Sequence, residues 1–141
     1  MQTFLDFAAR NWLLFAAFLA ILVTLLVTEF LRLSRGVKAI GVQDALRRLN
    51  DETAVLIDVR EPGEFRNGHI AGAKPLPASE FERRIGELDK YRERDIILCC
   101  QHGNRSAPLA AKLKKAGFAS VMNLAGGVAA WTGAGLPLVR K

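Results

Sequence analysis

The chain has 141 residues, room for one domain of ordinary size, and 50% of them are hydrophobic. Mean hydropathy is +0.15, high for a soluble domain, and most of the excess lies before residue 32. The only two cysteines are neighbours, Cys99 and Cys100, which excludes a disulfide framework and favours a reducing compartment; the net charge is +6.

From Trp12 to Thr28 no residue is charged. With Phe30 and Leu31 beyond Glu29, the apolar span reaches about 20 residues, roughly the 30 Å thickness of bilayer hydrocarbon at about 1.5 Å per residue. Trp12 suits one interface, where its amphipathic ring is favoured. Arg32, Arg35 and Lys38 follow the span, whereas only Arg10 and the chain amine precede it, opposed by Asp6. The positive-inside rule then places the C-terminal side in the cytoplasm. Residues 1–33 read as a single-pass transmembrane anchor of a cell (inner) membrane. A cleaved signal would need small residues where Glu29-Phe30-Leu31-Arg32-Leu33-Ser34-Arg35 stands. Residues 34–41 read as a short basic linker, reaching at most about 28 Å when extended.

Val42 to Leu49 has apolar residues at helical spacing, and Ala54 to Asp58 reads as a buried strand. Ser79 to about Lys90 reads as a helix, with Ser79 and Glu82 as a capping box and Phe81, Ile85 and Leu88 on the inner face. Asp95 to Cys99 is an apolar strand, and Ala107 to Ala116 a helix that tolerates Pro108 in its first turn and ends at Gly117. Ala119 to Leu124 reads as a strand, and Gly127 to Trp131 starts a last short helix. Strands alternating with helices predict an α/β domain over 42–139, a parallel sheet with helices on both faces. In such sheets ligands bind beyond the carboxyl ends of the strands.

Cys100-Gln101-His102-Gly103-Asn104-Arg105-Ser106 stands at such an end, between a strand and a helix start. N–H groups at a helix start are unpaired, and the helix dipole adds partial positive charge there. A thiol in that field ionises more easily, and the thiolate is the nucleophile. Gly103 permits a tight bend and Arg105 supplies a fixed positive charge. Cys99, one position earlier, belongs to the strand and faces elsewhere.

These residues resemble the active-site loop of the rhodanese sulfurtransferases. Ile57-Asp58-Val59-Arg60-Glu61-Pro62-Gly63-Glu64-Phe65, Gly68-His69-Ile70-Ala71-Gly72-Ala73, and Leu124-Ala125-Gly126-Gly127 with Trp131, Gly135 and Pro137 resemble three further segments of that family, in family order. The resemblance implies a thiosulfate sulfurtransferase (rhodanese-type) reaction: Cys100 takes a sulfane sulfur from thiosulfate or a similar donor and passes it as a persulfide to a thiol or cyanide. It implies Cys100 as the catalytic residue, with Gln101, His102, Gly103, Asn104 and Arg105 binding substrate, and no metal or organic cofactor. Asp58 and Arg60 are read as a structural carboxylate and a salt-bridging arginine near the site, the arginine using Glu61 or Glu64, and His69 as a structural hydrogen-bonding group. The expected partners are a small-molecule sulfur donor, a thiol acceptor and membrane lipid. With no nucleic-acid motif, anionic lipid explains the basic excess better than DNA or RNA. An unidentified membrane-protein partner stays open.

Two other classes stand beside this one. One is a membrane-tethered binding or sulfur-carrier module with little turnover. The other is a cysteine-dependent phosphatase of the related dual-specificity kind. The phosphatases carry five residues between cysteine and arginine, whereas four separate Cys100 from Arg105. The shorter arc fits one sulfur atom rather than a phosphoryl group, and the loop offers only His102 as an acid for a leaving alkoxide.

Overall fold

A computed structural model describes residues 2–35 and 37–140, without the side chains of 32–35. The chain divides into two compact units, residues 1–35 and 36–141. Of the predicted anchor and linker, Met1, Gly36 and the side chains of Arg32, Leu33, Ser34 and Arg35 lie outside the described residues.

The first unit is two helices, α1 (Gln2–Arg10) and α2 (Trp12–Arg35), which the sequence reading runs together as one segment. Asn11 interrupts them. Its Nδ2 donates to the Phe7 carbonyl at 2.9 Å, the acceptor its own backbone N–H also uses. Phe7 and Phe15 meet edge to face with centroids 6.5 Å apart. Eight residues of straight helix would climb about 12 Å, so this contact needs the bend at Asn11. Within α2, Trp12–Leu31 has a mean hydropathy of 2.5 and is long and apolar enough to cross a membrane. The hydroxyls of Thr24 and Thr28 donate to the carbonyls of Ala20 and Leu25 inside the helix, as hydrocarbon surroundings would require.

The second unit is an α/β domain. Strands β1 (Lys38–Ile40), β2 (Ala54–Asp58), β3 (Lys74–Pro75), β4 (Asp95–Cys99) and β5 (Ser120–Leu124) form one parallel sheet in the order β1-β5-β4-β2-β3. Strand β1 occupies part of the stretch read as linker. Its three residues pair with Met122 to Leu124, too short a run for periodicity to register. β3 is shorter still and was equally invisible.

Alternation along β4 explains why both faces are covered. Ile96, Leu98 and Cys100 enter one core with Phe81, Leu88, Leu109 and Leu113. Ile97 and Cys99 enter the other with Ala45, Val128 and Trp131. α3 (Val42–Asn50) and α7 (Gly127–Gly133) therefore cover one face, and α5 (Phe81–Arg84) with α6 (Ser106–Lys115) the other.

The helix expected over residues 79–90 is broken. It consists of a 3₁₀ turn at Ala78–Glu80, the single turn of α5, and a 3₁₀ stretch at Ile85–Tyr91. Gly86 weakens continuation of α5, while Phe81 and Leu88 still reach the core. Ser79 caps nothing there; its hydroxyl donates to Glu61 Oε2 at 3.2 Å. The capping box instead opens the short α4 (Pro62–Arg66), with Glu61 and Glu64 as its two members.

Candidate active site

Asp58 lies opposite Cys99 in the β2–β4 register, so the carboxyl ends of these two central strands are level. What leaves β4 at that edge is the loop Cys100 to Arg105, and what leaves β2 is the segment leading into α4. No side chain caps α6, and its N-cap residue is Arg105. Cys100 Sγ faces the turn leading into α6: it accepts from Gly103 N–H at 3.1 Å and Arg105 N–H at 3.3 Å. Gly103 sits at φ +91. A Cβ there would press the Leu124 carbonyl and the Gly126 nitrogen at 3.3 and 3.4 Å. Glycine is what lets the loop turn this tightly under β5.

Burial pushes the Cys100 thiol up, but hydrogen bonds from the Ser106 hydroxyl and from the N–H groups of Ser106, His102 and Arg105 outweigh it. The thiol therefore lies below its ordinary range, and thiolate forms at lower pH than in free cysteine. Cys99 is the opposite case. Burial pushes it well above the ordinary value and the Asp58 carboxylate adds to that, so it is a neutral thiol in the other core.

Ser106 and Asn123 complete the floor of the cup, and neither was assigned a role from sequence. The Ser106 hydroxyl lies 3.4 Å from Cys100 Sγ and 2.5 Å from Asn123 Oδ1. Asn123 Nδ2 donates to the Gly103 carbonyl at 3.1 Å, which turns Oδ1 toward Ser106. One hydroxyl proton thus faces two acceptors, the sulfur and the amide oxygen. Ser106 was legible as the residue after the cysteine loop. Asn123 carried no local signal, since only the β4–β5 pairing brings it there.

The carbonyls of the loop point away from Sγ, into the start of α7. Val128 N–H donates to the Cys100 carbonyl at 2.8 Å and Ala129 N–H to the Gln101 carbonyl at 3.0 Å. That approach requires Gly127, where a Cβ would lie 2.2 Å from the Cys100 oxygen. With the carbonyls held outward, the loop N–H groups are left to face the sulfur.

Two arginines flank the cup and both are paired. Arg60 donates from Nε and Nη2 to Asp58, from Nη2 to the Gly68 carbonyl at 2.7 Å, and from Nη1 to Gln101 Oε1 at 3.4 Å. Asp58 and Arg60 are 0% and 4% exposed, so this is a buried pair holding the end of β2 to the loop. The acid on Arg60 is Asp58, two residues before it, and not Glu61 or Glu64 as expected from the sequence; Glu64 binds Arg105. Arg105 meets Glu64 through two parallel bonds of 2.8 and 2.9 Å. The hydrogen bond and charge of Arg105 hold the Glu64 carboxyl below the usual range against a smaller opposing effect of burial.

Of the residues expected to bind substrate, His102, Gly103 and Arg105 thus present N–H groups to the sulfur, and Gln101 is anchored by Arg60. His102 and Asn104 are exposed on the rim. His69 is buried, stacks on Phe65 at 3.8 Å, and donates from Nδ1 to the Phe65 carbonyl at 2.9 Å. It stands as a structural group.

A family model described as rhodanese-like domain matches residues 41–134. The uncharacterized Escherichia coli K12 protein YibN is 43% identical over 141 residues, spanning 99% of each chain. A sulfurtransferase of Allochromatium vinosum is 38% identical over 104 residues, 73% of this chain and 95% of that one. Among solved structures, a rhodanese-related protein from Thermoplasma volcanium superposes with a TM-score of 0.68 at 30% identity, over 74% of this chain and 99% of the other.

Proposed function

The chain belongs to the rhodanese-like domain family, and on that premise we propose that it transfers sulfane sulfur through a Cys100 persulfide. The Cys100 thiolate attacks the outer sulfur of thiosulfate or a similar donor. The donor's S–S bond breaks, its electron pair leaves with sulfite, and Cys100 carries the sulfur. A thiol or cyanide then attacks that outer sulfur and the thiolate is regenerated. Splitting one transfer into two displacements is covalent catalysis.

The observation that carries this reading is the ring of N–H groups around a thiol held below its ordinary pKa range. The same groups stabilise the negative charge of the persulfide, as an oxyanion hole does for oxygen. The test is the intact mass of the protein after thiosulfate, with and without reductant. A reducible gain of one sulfur atom, lost in Cys100→Ser and kept in Cys99→Ser, is expected. Equal loss in both folded variants would mean that the wrong sulfur has been named. Aryl phosphates should not be hydrolysed by the same preparation, because the short loop offers no cradle for three phosphoryl oxygens.

We further propose that α2 anchors this activity at the cytoplasmic face of a membrane. The apolar length of Trp12–Leu31 supports the anchor, and the basic residues after it support the orientation. A thiol reagent that cannot cross the membrane should label Cys100 only after cells are permeabilised. Efficient labelling of intact cells would reverse the orientation.

A further inference from the structure

The mouth of the Cys100 cup carries a matched pair of opposite charges. Arg105 gives its backbone N–H to Sγ, so its side chain leaves from the rim. It reaches to α4 and meets Glu64 in a two-pronged pair, Nη1 to Oε1 at 2.8 Å and Nη2 to Oε2 at 2.9 Å. These side chains are 41% and 39% exposed, so entering molecules can reach both. The other arginine, Arg60, is buried and committed to Asp58, the Gly68 carbonyl and Gln101.

A dianion such as thiosulfate that engages Arg105 must draw it away from Glu64. A bare carboxylate is then left beside the dianion, with Glu61 adding negative charge in the same turn. A donor whose carrier end bears both an ammonium and a carboxylate enters differently. Its carboxylate can take Arg105 and its ammonium Glu64, and every charge keeps a partner. An exposed ion pair opens at small cost, so the difference between donors lies in what Glu64 meets afterwards.

We infer that the Glu64–Arg105 pair selects persulfides of small zwitterionic, amino-acid-type thiols over thiosulfate as sulfur donors. This rests on the sulfurtransferase reading above. The step needs no oxidant. The Cys100 thiolate attacks the outer sulfur of R–S–SH, the S–S bond breaks with its electron pair going to R–S⁻, and the product is Cys100–S–SH. Sulfur moves at the zero-valent level, and the proton stays on the transferred sulfur until it passes to solvent or to the departing thiolate.

The experiment uses the full chain in detergent and three donors: cysteine persulfide, N-acetylcysteine persulfide, whose ammonium is blocked, and thiosulfate. The readout is kcat/KM for loading Cys100, compared between the natural protein and Glu64→Gln. Glutamine keeps the Oε1 acceptor that caps α4, so the helix start is retained. In Glu64→Gln, cysteine persulfide should lose about fivefold or more, N-acetylcysteine persulfide should not fall, and thiosulfate should gain about three- to tenfold. Glu64→Asp, which keeps the charge, should keep the natural ranking. Equal shifts for all three donors, or none, would overturn the inference while leaving sulfur transfer intact. If no donor loads sulfur onto Cys100, it is the sulfurtransferase reading that fails.

Discussion

At the scale of single residues, the site turns on where a few protons are held. Cys99 and Cys100 are chemically identical and adjacent, yet strand alternation sends one into a dry core and the other into a ring of N–H groups. The Ser106 hydroxyl has one proton and faces both Cys100 Sγ and Asn123 Oδ1. Removing either partner of that arrangement should therefore move Cys100 in opposite directions. Ser106→Ala deletes a donor to the thiolate, so the pH midpoint of Cys100 alkylation by iodoacetamide should rise. Asn123→Ala frees the proton for sulfur, so that midpoint should fall. In the natural protein the alkylation rate should climb with pH through a midpoint below that of free cysteine, because the folded environment favours the thiolate. Shifts of the same sign in both variants would count against a shared proton.

At the scale of elements, the loop is a product of its neighbours on two sides. The turn that leads into α6 supplies the N–H groups, and α7 holds the opposing carbonyls away from the sulfur. Gly127→Ala tests the second half of that statement. Its backbone is at φ +62, and a Cβ would stand 2.2 Å from the Cys100 oxygen and 2.8 Å from Gln101. α7 must then withdraw, with both of its bonds to the loop. The expected outcome is a loss of about a hundredfold in thiosulfate:cyanide sulfur transfer, on the scale of a 1 Å misplacement. Stability should fall by about 1–3 kcal/mol in urea unfolding, the range for overpacking. An active variant of unchanged stability would show that α7 does not hold the loop. Sequence reasoning located α7 and its glycines but not this contact, because Gly127 and Cys100 are 27 positions apart in the chain.

At the scale of the whole molecule, the two units pose separate questions. All the residues that form the cup lie between Asp58 and Ala129, within the second unit. Residues 37–141 should therefore fold and transfer sulfur without the anchor. If that fragment is folded but inactive while the full chain in detergent is active, the anchor contributes to the site. The boundary matters, because a fragment beginning at Val42 loses β1 and uncovers β5. Ile40 is 5% exposed. Losing its burial should lower stability by about 2 kcal/mol relative to the fragment from 37, read from the shift in urea midpoint.

The sequence by itself determined the class of the domain and the place of the cysteine loop at a strand end. Apolar runs at 54–58 and 95–99, separated by helical spacing, leave little alternative to a parallel sheet covered on both faces. A cysteine at the end of such a run, just before a helix, is placed by local geometry alone. The uncharged stretch from Trp12 to Thr28 was equally plain, since length and hydropathy are properties of a segment. Only the tertiary structure decided which acid Arg105 meets. Asp58 takes Arg60 because they are two residues apart at the end of β2, whereas Glu64 takes Arg105 from 41 positions away across the sheet edge. It also decided that Lys38–Ile40 is a strand, because three residues gain their hydrogen bonds from β5 and not from any pattern of their own. The same holds for Asn123, whose amide reaches Ser106 and Gly103 only because β5 pairs with β4. Local chemistry can be read along a chain, but a charge or hydrogen-bond partner brought by strand pairing leaves no trace in the spacing.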